Sequence, residues 1–301
     1  MLADMSSDLY VALLQEVQGF FAGQPDKPEE TPDSILRALW FHAAGKPMSI
    51  SRINGQALPD LDGAARAALS ASIARKREGV PLAHITGRQE FLGLELLAGP
   101  DALIPRKETE ILGKAAIAVL EQKSNPLVID VCTGCGNLAL AYARHAPDAR
   151  VYAADLSEQA VELARRNAVF TGLSERVRFV AGDLFAPFQD DPDLLGKCDL
   201  VSCNPPYITS VRVPKMGQEI SAHEPKMALD GGALGMSIVS RLFIEAPKFL
   251  KPGGALCFEM GLGQGPVLEG RLRRQPWAAK VETHKDSSGA IRAMVVTRAA
   301  L

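Results

Sequence analysis

The segment Asn204 to Tyr207, with the sequence Asn-Pro-Pro-Tyr, has residue types that could orient a reacting group. It follows the mainly apolar run 198–203. Two consecutive prolines lack N–H donors and fix φ, so a central strand has to end where they begin. The resulting loop is stiff, and it displays an amide acceptor, Asn204, beside an aromatic face, Tyr207. Loops at the carboxyl ends of strands carry the ligand site in open α/β sheets, so we expect a site here.

A second candidate segment runs from Asp130 to Asn137, with the sequence Asp-Val-Cys-Thr-Gly-Cys-Gly-Asn. It lies where an apolar strand turns into a helix. Its glycines would let a ligand approach the backbone and the free N–H groups of the helix N-terminus. The same turn could serve only the close packing of strand and helix. The dinucleotide-binding fingerprint is incomplete, because Cys132 replaces its first glycine, and we expect negative φ at Cys132.

Acidic residues end the next two predicted strands. Asp155 lies about 20 residues after the glycine turn, where an acid can accept hydrogen bonds from ribose hydroxyls. Asp183 ends the third strand, where a carboxylate can accept an adenine amino proton. Each alone could cap a helix or lie at the surface, but together they favour an adenosine site. No Lys-Ser/Thr pair follows the turn and no basic pair lies near it, so a nucleoside without phosphates, such as S-adenosylmethionine, fits best.

Cys132 and Cys135 form a Cys-x-x-Cys pair, which could indicate redox or zinc chemistry. No second ligand pair has metal spacing, and the five histidines lie far apart in the sequence. We therefore predict reduced thiols with a structural role and no metal.

Strands and helices alternate in the second half of the chain, which predicts a mainly parallel sheet covered on both faces. The predicted strands are 127–131, 150–155, 177–183, 199–203, 255–260, 279–284 and 290–297. The helices among them are 111–120, 138–144, 157–170 and 235–249, and a turn is expected at 251–254. The first half is predicted to hold helices at 1–20, 33–44 and 61–78, followed by a hairpin between 81 and 97.

The composition allows two domains, since the chain has 301 residues of which 47% are hydrophobic. We predict a helical domain at 1–80, a hairpin linker at 81–100 and an α/β domain at 101–301. Asp4 stands where a signal peptide has basic residues, and no run of about 18 apolar residues occurs, so we expect a cytoplasmic protein without a membrane partner. The net charge of −2 argues against the basic surface of a dedicated nucleic-acid binder.

Taken together, these segments resemble the HemK/PrmC family of S-adenosylmethionine-dependent methyltransferases, which modify the side-chain amide of a glutamine in a translation protein. The resemblance runs from about residue 33 to the C-terminus. It is carried by Pro81 to Gly87, Glu90-Phe91, Ile104 to Glu110, Asp130 to Gly136, Asp155, Asp183, Asn204 to Ile208, Glu224-Pro225, Ala228 to Gly232, Glu259 and Gly261. The Asn-Pro-Pro-Tyr tetrad alone is shared with methyltransferases of nucleic-acid amines, but the Ile-Pro-Arg and Glu-Pro segments make the pattern more specific.

The resemblance implies a class I methyltransferase domain, with a Rossmann-like, seven-stranded and mostly parallel sheet, joined to a small N-terminal helical domain that helps to recognise the substrate. It implies that Asn204, through its side-chain oxygen, and Pro205, through its main-chain oxygen, accept the two N–H bonds of the acceptor amide. Tyr207 would pack beside the acceptor side chain. Arg106 and the acids after it, Glu108 and Glu110, would lie against the mouth of the site. The implied cofactor-binding residues are Asp130, Thr133, Gly134, Gly136, Asp155, Asp183 and Asn204.

The implied acceptor is a peptide-chain release factor, with a ribosomal protein as the target of a sibling family. Two other kinds of acceptor for the same methyl donor are alternatives. One is a small-molecule amine or amide, and the other is a nucleic-acid amine, which the net charge of −2 disfavours. A further reading is a non-catalytic regulator that binds S-adenosylmethionine.

Overall fold

The structure is a computed structural model that describes residues 2–23, 27–212, 222–232 and 235–300, with the backbone alone for residues 2–7. The N-terminal part is helical, as predicted. Its helices are α1 (Leu2–Phe20), α2 (Pro32–Ala43), α3 (Ile50–Ile53), α4 (Gly63–Arg77) and α5 (Leu82–Thr86). The short helices α3 and α5 were not predicted.

Side-chain caps start the two longer interior helices of this part. Thr31 precedes α2, and its hydroxyl accepts from the backbone N–H of Ser34 in a capping box. Asp62 precedes α4, and its carboxylate accepts from the N–H of Ala65 at 2.8 Å. The helices then bury a common apolar cluster that includes Ile35, Leu36, Leu39, Trp40, Leu69 and Ile73. This cluster is separate from the apolar clusters of the sheet that follows.

The predicted hairpin is present as β1 (Arg88–Phe91) and β2 (Leu94–Leu97), which pair antiparallel. The two turn residues, Leu92 and Gly93, both have positive φ, as a tight hairpin turn requires. The hairpin packs on the α/β part of the chain. Phe91 lies in the apolar cluster of that part, and the Asn167 side chain accepts from the N–H of Leu97 at 2.6 Å.

The remaining strands form one seven-stranded sheet. They are β3 (Leu127–Val131), β4 (Arg150–Asp155), β5 (Val177–Ala181), β6 (Cys198–Cys203), β7 (Leu250–Glu259), β8 (Ala278–Lys285) and β9 (Ile291–Arg298). Their order is β5-β4-β3-β6-β7-β9-β8, and of these seven strands β9 alone runs in the opposite direction to the others. The same part of the chain contains the helices α6 (Thr109–Leu120), α7 (Asn137–His145), α8 (Glu158–Thr171), α9 (Ser237–Phe249) and α10 (Gly265–Leu272). The predicted mostly parallel sheet is confirmed.

Two elements differ from the sequence-based expectation. The predicted turn at 251–254 is part of β7, which begins at Leu250 and shifts its pairing register with β6 between Cys198 and Leu200. At Gly254 a Cβ atom would lie 2.7 Å from the carbonyl oxygen of Cys198, so the close approach of the two strands requires glycine there. Helix α10 was missed because its glycines and proline weaken the helical signal.

The sheet order places two candidate segments side by side. Strand β3 pairs in parallel with both β4 and β6, so the order reverses at this point, and Val131 is the partner of Cys203. The glycine turn after β3 and the Asn-Pro-Pro-Tyr loop after β6 therefore leave the sheet next to each other, at a topological switch point. None of the described helices has both the length and the hydropathy needed to span a membrane.

Candidate active site

Two adjoining cavities open at the carboxyl ends of the parallel strands. The larger has a volume of about 280 Å³, and Thr133, Gly134, Asp155, Asp183 and Asn204 are among its lining residues. The smaller has a volume of about 220 Å³ and is lined by the Asn-Pro-Pro-Tyr loop together with Thr109 and Glu259. Asn204, Pro206 and Thr109 line both, so they lie where the two cavities meet.

The glycine turn curves around a buried carboxylate. The Thr133 hydroxyl donates to Asp130 Oδ2 at 2.6 Å, and the Ser202 hydroxyl donates to Oδ1. Burial raises the pKa of Asp130 to about 7, although both hydroxyls oppose the shift. At Gly136, which has φ +82°, a Cβ atom would lie 2.9 Å from the Phe179 ring. Asp130 and Gly136 thus hold the turn from behind, while Thr133 and Gly134 line the larger cavity.

Cys132 does not have the negative φ expected from the sequence. Its φ is +57°, in the left-handed region where glycine is favoured, so this backbone carries a strain of roughly 1–2 kcal/mol. The side chain lines the larger cavity, packs against an apolar cluster of the sheet and interacts with the thiol of Cys203. All five cysteines are free thiols.

Asp155, at the end of β4, binds two backbone N–H groups. Oδ2 accepts from Gly134 at 2.8 Å and Oδ1 accepts from Ser157 at 2.9 Å. Burial raises the pKa of this carboxyl, and the backbone N–H donors oppose the rise. The carboxylate therefore ties the glycine turn to the start of α8, and Asp155 is also a lining residue of the larger cavity.

Asp183, after β5, lies at the outer part of the larger cavity. Both of its carboxylate oxygens accept from Nη1 of Arg241, each at 2.9 Å. Arg241 comes from α9, and its proximity was not foreseen from the sequence. Leu156 and Leu184 supply apolar lining next to the two acids, so the acids at the ends of β4 and β5 are each followed by an apolar side chain in the cavity.

Most of the ionisable side chains that line the larger cavity in the described part of the chain are acidic. Its ionisable lining residues are Asp101, Asp155, Asp183, Asp230, Cys132 and Arg106. Arg106 forms an ion pair with Glu224, whose side chain is fully buried and whose Oε2 also accepts from the N–H of Ile104 at 3.2 Å. Asp183 is paired with Arg241 and Asp101 with Arg166, so the excess negative charge of the cavity comes from Asp155 and Asp230. This excess disfavours a phosphate and suits a ligand that carries positive charge.

The Asn-Pro-Pro-Tyr loop is held by contacts from several elements. Nδ2 of Asn204 donates to the Thr109 hydroxyl at 3.2 Å, and the Tyr207 hydroxyl donates to Oε1 of Glu259 at 3.0 Å. Gly231 packs so closely below the loop that a Cβ atom would lie 2.5 Å from the carbonyl oxygen of Pro206. The loop is consequently fixed in position before any ligand binds.

Sequence reasoning singled out the segments that contain Thr109 and Glu259 but assigned neither residue a role. Thr109 lies in the Ile-Pro-Arg segment, and Glu259 is the last but one residue of the predicted strand 255–260, so the sequence indicated where both residues lie. Their partners could not be read from the sequence, because Thr109 is 95 residues from Asn204 along the chain and Glu259 is 52 residues from Tyr207. Within the part of the chain that the structure describes, no group of three or more His, Cys, Asp or Glu side chains is arranged to hold a metal ion.

Several known methyltransferases are similar to this chain. Residues 109–251 match the family described as "Methyltransferase small domain". A protein named release factor glutamine methyltransferase from Moorella thermoacetica is 34% identical over 87% of this chain and 88% of its own. Proteins of the same name from Deinococcus radiodurans, at 38% identity over 83% and 86% of the two chains, and Burkholderia pseudomallei, at 36% over 85% and 89%, are similar.

Solved structures support the fold. The catalytic domain of hMettl16, in complex with MAT2A 3'UTR hairpin 6, superposes with a TM-score of 0.54 at 16% identity, covering 81% of this chain and 85% of that chain. A structure described as the delta-N METTL16 MTase domain gives a TM-score of 0.50 at 17% identity, covering 69% and 90%. At these identities the likeness extends to the fold alone.

Proposed function

The chain belongs to the family of release factor glutamine methyltransferases, and on this premise we propose that it transfers a methyl group from S-adenosylmethionine to the side-chain amide nitrogen of a glutamine in a peptide-chain release factor. The observation that carries the proposal is the position of Asn204. It lines both the acidic cavity and the smaller cavity, so one side chain can contact the methyl donor and the acceptor amide.

The larger cavity fits the methyl donor. Its acidic lining suits a molecule with a sulfonium and an ammonium group and no phosphate. We propose that Thr133 and Gly134 contact the methionine end, that Asp155 accepts hydrogen bonds from the ribose and that Asp183 lies at the adenine. Asp130 and Gly136 would serve the same site from behind, by holding the shape of the turn.

The smaller cavity is proposed to take the acceptor side chain. An amide nitrogen is a poor nucleophile because its lone pair is delocalised, and its N–H is too weakly acidic for a side-chain base to ionise it first. The protein therefore has to orient the amide. Oδ1 of Asn204 and the main-chain oxygen of Pro205 would accept the two N–H bonds, which turns the lone pair towards the donor, and Tyr207 would pack beside the side chain.

When bound, S-adenosylmethionine supplies an electrophilic methyl group on a positively charged sulfur. Because that charge is lost on transfer, a site that excludes water favours the reaction. The buried side chains of Thr109 and Glu259 and the stiff proline pair line the cavity proposed for the acceptor. The methyl–sulfur bond would break as the nitrogen–carbon bond forms, with the electron pair left on sulfur, and the nitrogen would release one proton to bulk water, so that the product amide is neutral.

We also propose a role for each of three segments of the chain. Residues 1–80 would form a domain that helps to recognise the release factor, 81–100 a hairpin linker and 101–301 the methyltransferase domain. The separate apolar cluster of the N-terminal helices supports this division. Because release factors act in translation, we propose a cytoplasmic location.

The experiment is methyl transfer from labelled S-adenosylmethionine to a panel of purified acceptors. The panel contains the release factor, a release factor whose recognition glutamine is changed, ribosomal proteins and a nucleic acid, and cofactor binding is measured in the same preparation. Label on the native release factor alone supports the proposal. A preparation that binds cofactor but labels another acceptor, or none, contradicts it.

A further inference from the structure

Two buried residues lie behind the side chains proposed to act on the acceptor. Thr109, the first residue of α6, is 1% exposed, and Glu259, the last residue of β7, is 2% exposed. Thr109 accepts from Nδ2 of Asn204 at 3.2 Å, and Glu259 accepts from the hydroxyl of Tyr207 at 3.0 Å. The two ends of the Asn-Pro-Pro-Tyr loop therefore each rest on one of these residues.

Glu259 connects the two contacts. Its Oε2 atom is enclosed and has no hydrogen-bond partner of ordinary length among the described residues. The Thr109 hydroxyl is a donor beside the same carboxyl and favours its ionised form. Arg292, which lies beside Glu259 in the next strand, adds a positive charge, whereas Glu108 adds a negative one. One buried carboxylate thus faces the hydroxyls of both Thr109 and Tyr207.

The chemistry of these groups fixes the direction of each hydrogen bond. An ionised carboxylate can only accept, so the Tyr207 hydroxyl donates to Oε1 of Glu259, and the enclosed Oε2 is left to accept the hydrogen of the neighbouring Thr109 hydroxyl. A threonine hydroxyl has one hydrogen, and once this is directed at Glu259 the oxygen is left to accept. Only the amide nitrogen of Asn204 can donate to it, so Oδ1 of Asn204 turns away from Thr109.

This direction matters because the two ends of an asparagine amide have nearly the same shape. Packing alone does not distinguish oxygen from nitrogen, and the hydrogen-bond partner has to make the choice. In the proposed function, the acceptor amide offers N–H groups. If Asn204 presented its own N–H groups to the acceptor amide, two donors would face each other and no hydrogen bond could form. The acceptor nitrogen would then not be oriented.

We propose that Thr109 and Glu259 are positioning residues for methyl transfer, which act through their hydrogen bonds to fix the oxygen of Asn204 towards the acceptor. The inference rests on the proposed function. It differs from a merely structural role, because it makes turnover depend on the direction of a hydrogen bond and on the charge of a buried carboxyl.

The charge of Glu259 gives the inference a pH dependence. Burial raises the pKa of Glu259 to about 7 and Glu108 adds to the rise, while Thr109, Tyr207 and Arg292 oppose it. A protonated Glu259 can donate to the Thr109 oxygen, which frees the hydroxyl hydrogen of Thr109 to turn towards Asn204 and favours the reversed amide. A carboxyl with a raised pKa is protonated below that pKa, so kcat is expected to fall as the pH decreases below about 7.

The first test uses Thr109 variants of the full chain with S-adenosylmethionine and the release factor. Thr109→Ser keeps the hydroxyl and is expected to keep kcat within about 3-fold of the wild type. Thr109→Val is close in shape but lacks the hydroxyl, and kcat is expected to fall at least about 10-fold, with the Kd for S-adenosylmethionine changed by less than about 2-fold. Thr171→Val is the control, since this hydroxyl donates to the carbonyl oxygen of Asn167 and lines neither cavity.

The second test is the pH profile of Glu259→Gln. The wild type is expected to lose about 10-fold in kcat per pH unit below the pKa, and the variant is expected to show no such decrease, because its amide doesn't ionise in this range. Equal kcat for Thr109→Val and wild type, or an unchanged acidic limb in Glu259→Gln, would overturn the inference alone. A wild type that binds cofactor and leaves the release factor unmethylated would overturn the proposed function, and the inference with it.

Discussion

The backbone N–H of Gly134 donates a 2.8 Å hydrogen bond to Oδ2 of Asp155. One carboxylate therefore shapes the glycine turn and also lies where the ribose of the methyl donor is proposed to bind. Asp155→Ala should raise the Kd for S-adenosylmethionine at least about 30-fold, since hydrogen bonds to a charged group contribute about 1.5–3 kcal/mol each. Isothermal titration calorimetry measures this, with the exposed Asp193→Ala as control. A Kd equal to that of the control variant would contradict the assignment.

Asn204→Ala separates binding from turnover. The side chain is proposed chiefly to orient the acceptor, so kcat should decrease at least about 100-fold, while the loss of its one contact with the methyl donor should raise the Kd for S-adenosylmethionine by no more than about 10-fold. Single-turnover methylation and calorimetry on one preparation give both values. A non-catalytic regulator would instead keep its function in this variant, and wild-type turnover by Asn204→Ala would remove the residue from the mechanism.

Gly231 offers a steric test of the loop. A methyl group at this position would lie 2.5 Å from the carbonyl oxygen of Pro206 and 2.9 Å from Cα of Tyr207, so Gly231→Ala has to displace the Asn-Pro-Pro-Tyr loop. We expect kcat to fall at least about 10-fold. Gly270→Ala is the matched control, because this glycine lies in α10 with nothing within 4 Å of an added Cβ.

The control has its own expected result. Gly270→Ala should leave kcat unchanged and raise the free energy of unfolding by about 0.5–1 kcal/mol, the usual gain for alanine over glycine inside a helix. If both alanine variants turned over at the same rate, the loop would not depend on close contact with Gly231.

Cys132 is predicted to be a strained position whose best replacement is glycine. Because φ of Cys132 is +57°, Cys132→Gly relieves backbone strain, but it also removes a small, partly buried side chain. The free energy of unfolding of this variant should therefore be no more than about 0.5 kcal/mol below that of the wild type, or should be higher. Cys132→Val places a β-branched side chain in the left-handed region and should lose about 2 kcal/mol. Urea denaturation measures both. A valine variant more stable than the glycine variant would show that φ is not the determining factor.

Much of the fold could be predicted from the sequence because its signals are local. The strands β3 and β4 and the helix α6 have continuous apolar patterns, and the glycine and proline positions mark their ends. Helix α10 could not be found in this way, since Gly265 and Gly270 reduce its helical propensity, and tertiary packing overrides that local preference. Pro266 is compatible with the first turn of a helix, but in the sequence it is also typical of a loop. The backbone of Cys132 was mispredicted because residue type alone favoured negative φ, whereas the turn around Asp130 imposes a positive one.

The candidate site was predictable only in part, for the same reason. Asp155 and Asn204 end strands, so the order of a parallel sheet brings them together without further information. The contact of Asp183 with Arg241 and the contacts of Thr109 and Glu259 with the loop depend on helix packing and strand neighbours far apart in the sequence. A residue's type and position indicated these groups, but only the folded structure supplied their partners.

Tandem mass spectrometry of the reacted factor tests most directly whether the acceptor is a glutamine side-chain amide of a release factor. After incubation with this enzyme and S-adenosylmethionine, the factor should gain the mass of one methyl group, and fragmentation should place that methyl on the side-chain nitrogen of one glutamine. The Asn204→Ala enzyme should leave the factor unmodified. A methyl group on another type of residue, or an unmodified factor in the presence of cofactor-bound wild-type enzyme, would contradict the account.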